Sequence, residues 1–222
     1  MPRIARGLAD NQIYHIINRG NRRETVFHDN YDYDKFLDLL SIAKETYNIN
    51  IYAYCLMPNH FHLVVFTPLA ESLSKAMHWI SSSYVRYYNK RYQISGHLWQ
   101  GRYKSFIVQE DNYLLKLLKY VEANPLRAKI VKDAIKYKYS SAYNRINNIK
   151  DIIDTLPIDL PNDWYIYINE KENKVDIDSI RNCINRQAPL GDLPWQEKVA
   201  KAHGLESTLK PRGRPWKKED SV

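Results

Sequence analysis

Residues 52–67, YAYCLMPNHFHLVVFT, set two histidines one position apart, His60 and His62, at the head of an apolar run. Leu63, Val64, Val65 and Phe66 are bulky or β-branched, so the run reads as a buried strand. Side chains at i and i+2 share one face of a strand, so both imidazoles point the same way. Met57-Pro58-Asn59 reads as a turn, and Ile51 to Leu56 as an antiparallel partner strand. Valine or isoleucine would pack better than histidine on a central strand, and a shared role is the simplest reason for the pair. Neutral imidazole is the commonest protein metal ligand, and two nitrogens on a rigid strand make half of a divalent-metal site. The alternative is two half-exposed histidines near a strand end. The pair needs a third ligand and a chemical partner.

Working outward, the chain of 222 residues is long enough for one good core and a small appendage. Its hydrophobic fraction of 44% fits a globular protein. No apolar run approaches the roughly 20 residues that cross a bilayer, and the N-terminal stretch has no secretory-type apolar core, so a cytoplasmic location is expected. Cys55 and Cys183 are far apart and lack CxxC spacing, which suggests neither a disulfide framework nor zinc. A formal charge of +8 favours a polyanionic partner, with a merely solvated basic surface as the alternative. Interleaved tyrosines suit unpaired bases.

Upstream, Ile13 to Asn18 reads as a first strand, followed by a turn with Arg19, Arg22 and Arg23 that either holds phosphate or is an ordinary solvated loop. His15 stands by itself in that strand, a position more typical of a core histidine than of a ligand. Asp32–Tyr47 has the apolar spacing of an amphipathic helix. Downstream, Glu71–Arg91 is a second, whose basic, tyrosine-rich second half includes Arg86 and offers a face for DNA. A loop, 94–102, then enters a strand over 103–108. The order β-α-β-β-α-β predicts an α+β fold with a ferredoxin-like antiparallel sheet, helices on one face and the other face open.

Residues 111–124 predict a third helix that stops at Asn124-Pro125. Tyr120 and Asn124, four apart, share one face of it. Taken alone, the helix favours Tyr120 as an ordinary amphipathic core-edge residue. Lys116 shares the face, either acting on the phenol or a phosphate or remaining a solvated lysine. Glu122 points elsewhere and receives no role.

The blocks YHIINRGNRRETVF, YAYCLMPNHFHLVV, GHLWQGRYKS, LKYVEANPLRAKIV and YKYSSAY, in this order, resemble the single-tyrosine HUH transposases. The REP-associated tyrosine transposases are the most similar group. The resemblance spans Ile13 to about Tyr143. It implies metal ligands at His60, His62 and Asn124, with Mg²⁺ or Mn²⁺ as the divalent metal, and a nucleophile at Tyr120. The implied activity is cleavage of single-stranded DNA at the foot of a REP-like hairpin, leaving a 5′-phosphotyrosine and a free 3′-OH. A bacterial, nucleoid-associated setting and action as a monomer or homodimer are further implications. Arg3, Arg6, Arg102 and Lys104 join the arginines above as expected DNA contacts.

The sequence divides into an HUH nuclease domain at 1–148, a mixed, helical extension at 149–209 and a basic tail at 210–222. Within the extension, 179–186 and 195–203 suggest short helices, the second ending at Gly204. In the tail, Pro211-Arg212-Gly213-Arg214-Pro215 resembles an AT-hook core, whose arginines enter a narrow minor groove. A disordered basic tail is the alternative. Two rival functions stand beside strand transfer: a non-cleaving, domesticated palindrome-binding protein, and an RNA hydrolase using a metal-bound water.

Overall fold

The computed structural model describes residues 7–149 and 151–210. Strand β1 (Gln12–Arg19) leads through a 3-10 turn (Asn21–Arg23) to helix α1 (Asn30–Tyr47), and the hairpin of β2 (Asn50–Met57) and β3 (His60–Thr67) follows. Helix α2 (Ala70–Tyr92), strand β4 (Lys104–Val108) and helix α3 (Asn112–Glu122) complete the expected series. The sheet is antiparallel throughout, in the order β2-β3-β1-β4, so the histidine-bearing strand is central.

Strand alternation sorts the two faces. Phe61 sits 4.9 Å from the ring of Phe36 on α1. Phe36 in turn meets Phe27 and Tyr84, giving one aromatic core beneath α1 and α2. His62 points the other way and meets Tyr120 of α3, at 5.8 Å between ring centroids. Asp29 caps α1 by accepting from the backbone N–H of Tyr31 and Asp32, and Asp111 caps α3 through Tyr113.

Three features differ from the sequence expectation. First, α3 ends at Glu122, and Asn124–Arg127 forms a further helical turn, α4. Proline lacks only the N–H that a first helical turn leaves unused, so Asn124-Pro125 starts a turn instead of ending the chain's helical course. Second, the basic, tyrosine-rich half of α2 is engaged internally. The buried carboxylate of Asp32 accepts from Arg91 at 2.6 Å, from the Tyr92 hydroxyl at 2.7 Å, from the Tyr87 hydroxyl at 3.2 Å and from the His28 backbone N–H at 2.8 Å. Tyr84 donates to the Val26 carbonyl. These tyrosines join α1 to α2 and are no platform for bases. Third, the face expected to be open is partly covered.

That cover comes from the rest of the chain. Helices α5 (Ser141–Ile146), α6 (Trp164–Asn169), α7 (Lys174–Arg186), α8 (Leu193–His203) and α9 (Glu206–Leu209) follow in order. Helix α7, capped by Asn173, begins at Lys174, five residues before the expected start, and α8 ends at Gly204 with φ of 65°, as the sequence suggests. Leu190 donates to the Ile107 carbonyl and accepts from Gln109, capping the β4 edge, while Tyr139 accepts from Leu56 at the β2 edge. Glu122, assigned no role from sequence, is fully buried and accepts from Ser141, Arg145 and the Trp164 indole, so it ties α5 and α6 to the end of α3. Both cysteines are buried and free, and burial pushes the Cys183 thiol up to about 12. Among the described residues no helix is long and apolar enough to cross a membrane.

Candidate active site

Register builds the site. Arg19 pairs with His60 and Ile17 with His62 across β1 and β3, so all four side chains share the face beneath α3. A cavity of about 290 Å³ opens there, lined by His60, His62, Tyr120, Asn124, Arg19 and Arg127, with Arg181, Ile184 and Asn185 arriving from α7. The sequence-derived nucleophile and all three expected ligands therefore meet in one place. Tyr120 and Asn124 lie on either side of the joint at Ala123, which fixes their relative orientation.

The histidines are held in defined ways. Asn59 Nδ2 donates to the Arg23 carbonyl at 3.1 Å, which orients its amide; its Oδ1, an acceptor only, lies 2.6 Å from His60 Nδ1. His60 Nδ1 therefore carries the proton, and Nε2 keeps its lone pair. His62 Nδ1 lies 2.8 Å from Nε2 of His15, which stacks on it almost parallel, at 5.0 Å between centroids. His15, read as a solitary core residue, is thus the direct partner of a site histidine. Burial lowers the His15 pKa to about 3. Burial, reinforced by the charges of Arg19 and Arg127, lowers His60 to about 4, and burial with the neighbouring histidines drives His62 well below its ordinary value. All three are neutral at physiological pH, the state in which imidazole nitrogens coordinate.

Arg127 is the residue that sequence reasoning missed. Its guanidinium lies over the Tyr120 ring, 4.1 Å from the centroid. It also donates to the Tyr120 carbonyl at 2.9 Å and pairs with Glu172. Its spacing of three from Asn124 was the available signal, hidden by ending the helix at Pro125.

The expected DNA-contacting residues separate. Arg19, Arg102 and Lys104 line a depression adjoining the cavity. Arg22 and Arg23 are exposed in the turn beyond β1. Lys116 is not at the cavity: it pairs with Asp176 of α7 at 2.8 Å, because helix α7 lies beside α3. Arg86 is exposed on α2, in the layer across the sheet from the site, where it donates to Ser83. Arg3, Arg6, Arg212 and Arg214, with the AT-hook-like tail, lie outside the described residues.

Comparison with known proteins bears on the fold and the family. One similar solved structure is a REP-associated tyrosine transposase bound to a REP hairpin, with a TM-score of 0.56 and 15% identity over 72% of this chain and 95% of that one. A second, from Deinococcus radiodurans and assigned as a transposase, has a TM-score of 0.37 and 21% identity over 67% of this chain and 98% of that one. No curated protein matches the sequence significantly. The family described as "Transposase IS200 like" matches residues 9–124, more than half of the chain and the whole span from β1 to Asn124. The chain belongs to the IS200-like transposases.

Proposed function

We propose that this transposase cleaves and rejoins single-stranded DNA beside a hairpin, with Tyr120 as nucleophile. The observation that carries the reading is the meeting of Tyr120, His60, His62 and Asn124 in one cavity. Its nearest support for a hairpin substrate is the REP hairpin held by the structurally similar transposase. The Tyr120 oxygen attacks phosphorus in line; the P–O3′ bond breaks, the 3′ oxygen takes up a proton, and the 5′ end remains as a phosphotyrosine. Attack by a 3′-OH on that linkage reverses the step and restores the phenol. Arg127 holds the tyrosine ring and its backbone, presetting the attack geometry.

The donor set fits a divalent metal. His60 has a free Nε2 lone pair, Asn124 brings an amide oxygen, and no carboxylate lines the cavity. A bound Mg²⁺ or Mn²⁺ would withdraw charge from a non-bridging phosphate oxygen and orient phosphorus. His62 joins the set in the tautomer with its proton on Nδ1, donated to His15 Nε2, so His15 positions a ligand.

The test incubates labelled hairpin DNA with wild type and Tyr120→Phe in Mn²⁺, followed by a denaturing protein gel. A metal-dependent covalent adduct confined to wild type is the expected result. Cleavage that persists in Tyr120→Phe would mean attack by water, and bound but uncut DNA with both proteins would mean a binding module.

A further inference from the structure

Beside the catalytic cavity lies a second depression of about 260 Å³, and the two share Ile17, Arg19, Ile184 and Asn185. Together they form one trough across the end of the sheet, from Tyr120 to Arg102 and Lys104 at the start of β4. Its floor is β1; one wall is α7, a helix beyond the stretch that matches the transposase family. Arg181, Ile184 and Asn185 are spaced i, i+3 and i+4, so they present one helix face to the trough. Burial of Ile180 and Cys183 against the protein fixes that rotation.

Charge identifies the occupant. No carboxylate lines either depression, although residues 151–178 hold eight acidic side chains and two lysines. Cations line it from end to end, at Arg127, Arg181, Arg19, Arg102 and Lys104. Arg19 Nε is buried without a hydrogen-bond partner, and neither Arg102 nor Arg181 forms an ion pair among the described residues. Each depression is near the low end of sites that hold a small molecule, about 300 Å³, which admits a nucleotide or two and excludes a duplex.

We infer that the trough between β1 and α7 binds the single strand flanking the hairpin, with Arg181 contacting a phosphate and Asn185 a sugar or base edge. The identity of the polymer rests on the function proposed above; the trough itself rests on geometry and charge. A row of cations, among them Arg102 and Arg181 without ion pairs among the described residues, beside apolar Ile17 and Ile184 suits a backbone with unstacked bases.

The experiment uses the full chain carrying Tyr120→Phe, in chelator, so that binding is read without chemistry. Fluorescence anisotropy compares a blunt hairpin with the same hairpin bearing a single-stranded extension of about eight nucleotides, on either the 5′ or the 3′ side, within the span one single-strand site covers. Adding Arg181→Ala is expected to weaken the extended hairpin roughly tenfold and to reduce its log–log salt slope by about 0.7, the share of one phosphate contact. The blunt hairpin stays unchanged. Asn185→Ala should show the same selectivity with an unaltered slope, and Lys174→Ala, an exposed cation of α7 outside the trough, should move neither probe. Equal affinity of the parent protein for blunt and extended hairpins overturns the inference, as does an Arg181→Ala effect that is absent or equal on both. A protein that forms no phosphotyrosine yet passes this test keeps the trough and loses only the chemistry.

Discussion

The two faces of the sheet handle polar groups in opposite ways. Under α1 and α2, the buried carboxylate and the buried tyrosine hydroxyl are matched: Asp32 collects Arg91, Tyr87, Tyr92 and the His28 backbone, and Tyr84 is satisfied by a carbonyl. Under α3 and α7, Arg19 Nε and His15 Nδ1 are buried without partners, and Arg102 and Arg181 stand unpaired. The first face contributes stability. The second forgoes it, which is the usual state of a surface whose partners arrive with the substrate. A cation-rich stretch therefore identifies a binding face only where the protein itself has not already neutralised it.

The largest effect that tests this contrast is on the matched face. Asp32→Ala is expected to destabilise the fold by about 3 kcal/mol, since it strands several buried donors at once. Arg19→Met should cost under about 1 kcal/mol, because no internal bond of its side chain is lost, while abolishing most single-strand affinity. Urea unfolding and anisotropy on both variants check the pair; comparable stability losses would erase the distinction between the faces.

Within the site face, His15 separates packing from positioning. His15→Leu is expected to weaken Mn²⁺ binding by about 10- to 100-fold, the usual cost of losing a partner behind a metal ligand. His15→Gln, which retains an acceptor for His62 Nδ1, should stay within a few-fold of wild type. Titration of bound Mn²⁺ by electron paramagnetic resonance reads both, and equal losses would reduce His15 to a space-filler.

The same histidines set a pH dependence. Their folded pKa values lie below the ordinary 6.5, at about 3 for His15 and about 4 for His60, so the unfolded chain binds protons first. Their contribution is complete above pH 6.5 and is lost as pH falls from there, down to about 4 for His60 and about 3 for His15, with a slope of up to about 1.4 kcal/mol per pH unit for each histidine. His15→Leu should flatten the urea-derived stability curve in that window by about one proton. The smallest effect is at Lys116: its half-exposed pair with Asp176 is worth about 1 kcal/mol or less, and Lys116→Ala should leave adduct formation unchanged.

Much of this was legible before folding. Alternation around His60 and His62 located the strand and its face, and the four-residue spacing of Tyr120 and Asn124 located their shared side, because both signals are local periodicities. The partners of α2 were not legible: Asp32 is more than fifty residues from Tyr87 and Arg91, and no local pattern announces that a tyrosine-rich cationic stretch is neutralised at a distance. His15 is the core histidine its strand suggests, but its partner was hidden for the same reason, since His62 lies on a neighbouring strand. Arg181 was hidden by its acidic surroundings, as net charge averages over a helix whose faces differ.

Glu122 carries a practical consequence. A shortened enzyme cut at the end of the family's matched span would seem the natural minimal tool for genome manipulation. Such a cut would remove Ser141, Arg145 and Trp164, leaving a carboxylate stranded two residues from the nucleophile. Miniaturisation of this enzyme must therefore begin by replacing Glu122 with an apolar residue, or keep the chain at least as far as α6.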